Sequence, residues 1–145
     1  MGRRRQAREI ALQALYVMDT AGTDQTEAFA LVNRREDPGD ESTLDFARSL
    51  VSGACAARET LDRNIEAAAQ NWSLSRMAAV DRNLLRLAAY ELLYTPATPA
   101  NVVIDEAIEI ARKFSTEDST RFINGILDKI KEERPPAQAP KKPEA

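Results

Sequence analysis

Apolar residues recur at helical spacing along almost the whole chain, and no run shows the period-2 alternation of a strand. Ala7, Ile10, Ala11, Ala14, Val17 and Met18 share one face of a first helix. A short helix is predicted over residues 25 to 33, and Arg34 to Ser42, with Pro38-Gly39 inside, reads as the clearest turn of the body. Phe46, Leu50, Ala54, Ala57 and Leu61 lead into Ile65, Ala68 and Trp72 at steps of three or four, as one long helix or two. Gly53 weakens that stretch by about 1 kcal/mol and invites a bend or close packing, while Cys55 and Trp72 are expected in the core. From Ser75 to Tyr94 the pattern is apolar nearly all round, as befits a central helix. Thr98 as N-cap with Pro99 in the first turn opens a helix whose Val103, Ala107, Ile110, Ala111 and Phe114 face inward. Ser115, with Asp118 three residues on, predicts a capping box and a sharp corner before a last helix carrying Ile123, Ile126, Leu127 and Ile130. The expected fold is all-α: one compact bundle of about seven helices over residues 1–133, with a disordered Pro-rich tail over 134–145.

Two aromatics stand off the apolar faces. Stepping about 100° per residue puts Phe122 at the margin of its stripe, between Lys129 and Ile126. It either packs against a neighbouring helix or offers a surface on which something flat can stack. Tyr16 points to the polar side of the first helix, close in azimuth to Arg5 and Glu9 and near Gln13. An aromatic on an arginine-bearing face suits an unpaired base, at about 1–3 kcal/mol per stacked base, although core packing is the plainer alternative. The expected arrangement is two rings converging beside a cluster of guanidiniums.

Composition removes most catalytic options. The 145 residues include no histidine and a single cysteine, so the usual Ser/His/Asp and Cys/His arrangements have no members, and Cys55 alone builds neither a zinc site nor an internal disulfide. The scattered glycines form no phosphate-cradling loop. Among the carboxylates, Glu109 reads as a helical pair with Lys113 rather than a general base. No catalytic residue, cofactor or metal is expected.

Charge adds a direction. The net charge is −3, yet the first eight residues carry four arginines and no acid, leaving 16 basic against 23 acidic residues in the remainder. A basic tip on an acidic body suits a phosphate backbone, and a solubilising tail is the bland alternative. Arg3, Arg4 and Arg5 resemble the start of a signal peptide, but Glu9 and Gln13 interrupt the apolar run it would need, and no span approaches a membrane helix. Gln6 stands where a myristoylation signal requires Ser or Thr. The expected setting is cytoplasmic, with no membrane partner.

The strings ARExALQALY at the front and IDEAIEIAxxFSTEDSxxFINGILDKI at the back, with FARSLVSG and VDRNLLRLAAYELL between them, resemble the NusB family of bacterial transcription antitermination factors. The resemblance implies a non-catalytic, all-helical protein that binds single-stranded boxA RNA of ribosomal RNA transcripts together with the ribosomal protein NusE. It also implies indirect association with other Nus factors and RNA polymerase. Matching motifs assigns RNA contacts to Arg4, Arg5, Arg8, Gln13 and Tyr16, with Asp118, Ser119 and Phe122. The partner protein is expected on the central helices, at Asp81, Arg82 and Glu91. Some relatives form homodimers, and the sequence leaves both states open. NusB-like domains also occur fused to ribosomal RNA cytosine methyltransferases, so an RNA-delivery partner of such an enzyme is one alternative, and a protein-only helical adaptor is another.

Overall fold

The computed structural model describes residues 2–32, 40–70 and 72–135. The expected turn over Arg34 to Ser42 falls mostly outside these residues, as does the tail from residue 136 onward. The described residues form seven α-helices: α1 Arg3–Ala21, α2 Gln25–Val32, α3 Glu41–Ala56, α4 Arg58–Ala69, α5 Ala79–Tyr94, α6 Ala100–Phe114 and α7 Glu117–Lys131. A single 3₁₀ turn, Leu74–Arg76, precedes α5.

The helix ends follow local chemistry. Gly22 closes α1 in the left-handed region, φ 71°, and its N–H returns to the Met18 carbonyl. Asp40 caps α3 by accepting from the Thr43 N–H at 2.8 Å. The stretch from Phe46 to Ile65 is two helices, broken at Ala57, and α4 stops at Ala69 before Gln70, whose φ is +54°. Trp72 therefore lies beyond the helix whose periodicity placed it in the core, and it is 46% exposed. Two caps sit one residue later than expected. Pro99, not Thr98, precedes α6, while Thr116, not Ser115, caps α7 by accepting from the Ser119 N–H at 3.1 Å. The pair Ser115 and Asp118 makes no capping box because Ser115 is drawn inward, donating its hydroxyl to Asp81 at 2.6 Å.

α5 is the central helix, packed against α1, α3, α4, α6 and α7. Leu84, Leu85, Leu87 and Leu92 are all but sealed from solvent. Around it, α7 buries Ile123, Ile126, Leu127 and Ile130, each worth about 1.5–3 kcal/mol relative to exposure. Four polar side chains of α5 are enclosed as well, and each has a partner on a neighbouring helix. Asp81 accepts from Ser115 and Ser119, Asn83 donates to Asp19 of α1, Arg86 pairs with Asp62 of α4, and Glu91 pairs with Arg8 of α1. Among the described residues, no helix is long and apolar enough to cross a membrane.

Gly53 is required by close packing. A Cβ built there would overlap the ring of Tyr90, which stacks on Tyr94 with centroids 5.5 Å apart. Gly53→Ala is expected to lower stability by about 1–3 kcal/mol through overpacking, against a helix-propensity gain of about 1 kcal/mol. In a Tyr90→Ala background the same substitution should become neutral or stabilising. Urea unfolding of the four proteins measures this, and a Gly53→Ala effect independent of Tyr90 would contradict it.

Candidate nucleic-acid interface

The polar face of α1 is not open to solvent along its whole length. Arg5 reaches Glu106 of α6, its Nε 3.1 Å from Oε1, and Lys113 of α6 donates to Glu9 at 2.8 Å. Glu9 is 3% exposed, so the Arg5 and Glu9 side of α1 meets α6 through these two charged pairs. Lys113 is thereby taken from Glu109, which pairs instead with Arg112 at 2.6 Å.

Every arginine of the N-terminal tip has an intramolecular partner. Arg3 pairs with Asp40 at 3.1 Å, and the Arg4 guanidinium lies 4.1 Å from the Phe46 ring centroid. Arg8 is buried and binds Glu91 through two parallel bonds, Nε to Oε1 at 2.7 Å and Nη2 to Oε2 at 2.8 Å. Arg8, expected to contact RNA, thus has two of its donors engaged by a carboxylate inside the bundle. Arg4 remains exposed and Arg5 half-exposed.

The three residues expected to meet a partner protein also turn inward. Glu91 holds Arg8, Asp81 is 5% exposed between the two serine hydroxyls, and Arg82 spans Asp19 and the carbonyls of Leu74 and Met77. Charged residues on a helix otherwise apolar nearly all round read, from the sequence, as its surface groups. Here Asp81, Arg82 and Glu91, expected to meet a partner protein, join α5 to its neighbours.

The aromatics lie at the other end of α1. Tyr16 is 39% exposed and, with Gln13, Leu31, Val80 and Phe114, lines a hollow of about 390 Å³. Phe122 is half-buried against the core and lines a second hollow, of about 310 Å³, with Asp118, Ser119, Arg76 and Trp72. The two hollows flank the start of α5: Val80 borders the first, Ala78 and Asp81 the second. The α6–α7 corner stands between them, Phe114 before it and Asp118 after it. The rings thus do not share one platform, and Arg5 is eleven residues, or about 16 Å of helix, from Tyr16.

Polar groups at the second hollow differ in availability. Ser119 donates its hydroxyl to Asp81 at 2.7 Å and accepts from the Thr116 hydroxyl at 3.0 Å, so its proton is committed. Asp118 is exposed and, among the described residues, pairs with Arg121 one turn on, at 2.9 Å. Sequence periodicity missed Trp72 because α4 ends before it. The signal lay in the linker position of the ring, three residues past the helix end at Ala69.

Several carboxyls are held below their ordinary range. The hydrogen bond from Arg5 lowers Glu106, opposed by burial and reinforced by the charges of Arg5 and Arg8. Burial pushes Asp19 up, but hydrogen bonds from Arg82 and Asn83, with the charges of Arg82 and Arg86, outweigh it and leave a net depression. The Thr43 N–H holds Asp40 down at about 2. Burial pushes the Cys55 thiol up, away from the thiolate that reactivity requires.

A helical bundle built round an enclosed central helix, with Tyr16, Trp72 and Phe122 open around one corner, defines a binding module. Residues 5–132 match the NusB family, and the chain belongs to that family. It is 51% identical over 135 residues to the transcription antitermination protein NusB of Elusimicrobium minutum, spanning 92% of this chain and 96% of that protein. It is 49% identical over 130 residues to the transcription antitermination protein NusB of Geobacter sulfurreducens, spanning 90% and 94%. Among solved structures, T. maritima NusB superimposes with a TM-score of 0.83 at 37% identity, covering 92% of this chain and 93% of that one. A structure of antitermination factors NusB and NusE in complex with double-stranded RNA gives 0.83 at 28% identity, covering 90% and 97%.

Two outcomes test these electrostatics. Glu91→Ala strands the Arg8 guanidinium and is expected to cost about 3–5 kcal/mol in urea unfolding, whereas Arg3→Ala, at an exposed pair, should cost less than about 1 kcal/mol. Equal effects would show that burial of the first pair carries no weight. The depressed carboxyls stabilise the fold fully at neutral pH. That contribution is lost as pH falls below their ordinary values of 4.5 for Glu106 and 3.8 for the aspartates. Thermal unfolding should therefore be flat from pH 7 to about 5 and drop below that. Asp40→Asn, which keeps an N-cap but does not titrate, should make the acid decline shallower.

Proposed function

We propose that the protein is a non-catalytic transcription antitermination factor that binds single-stranded boxA RNA of ribosomal RNA transcripts jointly with the ribosomal protein NusE. The observation carrying this reading is the exposure of Tyr16 beside the α6–α7 corner in a chain of the NusB family, with Phe122 and Asp118 across that corner. Tyr16 and Phe122 offer stacking faces, Gln13 and Asp118 offer polar edges, and Arg4 and Arg5 offer charge toward the far end of α1. Arg8 and Ser119 act from behind: the first fixes α1 on α5, the second fixes the start of α7 on Asp81. The relatives named as antitermination proteins support the antitermination role, and the neighbour solved with NusE and double-stranded RNA supports RNA and NusE as partners. In this proposal the protein reaches RNA polymerase through other Nus factors, in the cytoplasm.

Binding to a boxA strand is expected to weaken as salt rises, because neutralised phosphates release counterions. Tyr16→Ala should cost about 1–3 kcal/mol of affinity, and Phe122→Leu, which keeps the buried apolar contact while removing the π face, should weaken binding in the same direction. Titrations by fluorescence anisotropy, with NusE present and absent, measure both variants. Wild-type affinity in each would refute the stacking role.

A further inference from the structure

We propose that Trp72 and Arg76, with Phe122, form a second subsite for one unpaired nucleotide, in which the indole stacks the base and the guanidinium meets the flanking phosphate. The proposal rests on the RNA-binding reading above and extends it to residues outside the family motifs quoted for RNA contact.

Three observations carry it. Trp72 is the chain's single tryptophan, and although it is the largest apolar side chain present, 46% of it is exposed. Tyr16, Leu31, Tyr94 and Val102 are exposed to a similar degree, but Trp72 presents the largest aromatic face among them. It opens onto the same hollow as Phe122, so that two aromatic side chains line one recess bordered by Met77 and Ala78. Arg76 stands at that recess, exposed, and makes no ion pair among the described residues, unlike Arg3, Arg5 and Arg8 of the N-terminal tip. Its charge is thus available at the recess, where theirs is already answered by carboxylates.

The chemistry selects the occupant. Two aromatics with an unanswered guanidinium match a base attached to a phosphodiester, since any base presents a π face and Arg binds phosphate through a planar fork. An anion alone would find Glu117 and Asp118 in the first turn of α7, which oppose it. A nucleotide places its base in the recess and its phosphate outward at Arg76. The site is held in place by the hydroxyls of Ser115 and Ser119 on Asp81, which fix α7 against the start of α5.

The test uses the full chain with NusE and a boxA RNA strand, reading anisotropy of labelled RNA and tryptophan emission in parallel. The emission difference between wild type and Trp72→Phe isolates the single indole. RNA binding should quench that difference signal. Trp72→Ala should weaken binding about tenfold, Trp72→Phe should restore most of it, and Arg76→Gln should lower the salt slope by about one. Unquenched emission with full affinity in Trp72→Ala, while Tyr16→Ala still weakens binding, would overturn the subsite and leave the RNA-binding reading standing. Absence of any RNA binding by the wild-type complex would overturn both.

Discussion

Enclosure of α5 is the constraint on which the rest of the bundle depends. A helix packed against five others leaves little solvent for the polar side chains it buries, and an unpaired buried carboxylate or guanidinium is far costlier than a lost surface contact. Asp81, Asn83, Arg86 and Glu91 must therefore be answered from outside the helix. The answers come from α1, α4, the α6–α7 corner and α7. Apolar packing supplies the bulk of the burial, but it is non-directional. The directional bonds decide where each neighbour sits along α5.

Those bonds also shape the proposed binding surface. Asp81 draws in Ser115 and Ser119, so α7 starts at a defined place against the first turn of α5. That placement opens one hollow at Phe122 and leaves another between α1 and the end of α6. At the far end, Arg8 on Glu91 and Arg5 on Glu106 fix α1 so that Tyr16 emerges just past Phe114. The aromatic faces are thus presented by a rigid scaffold, the arrangement that keeps the ordering penalty of binding low.

The charge distribution changes meaning between chain and fold. Four arginines in eight residues suggest a free basic tip, yet carboxylates of α5, α6 and Asp40 engage Arg8, Arg5 and Arg3, and Phe46 engages Arg4. The tip is partly a structural brace, and much of its electrostatic reach is spent at short range inside the molecule. Arg76, unremarkable in the sequence, stands at an aromatic recess with its charge unanswered among the described residues.

Periodicity alone determined the all-α class, the central place of Ser75 to Tyr94 and the inward face of the last helix, because apolar spacing reports which side of a helix is buried whatever lies against it. The azimuths of Tyr16 and Phe122 were legible for the same reason. Which polar residues are internal was not: Arg8, Asp81, Arg82 and Glu91 look like surface groups until a partner from a distant segment closes on them. Nor was Trp72, since its azimuth was extrapolated past the end of α4. Tertiary structure decided these points because hydrogen bonds between helices join residues far apart in the chain, and helical spacing carries no record of them.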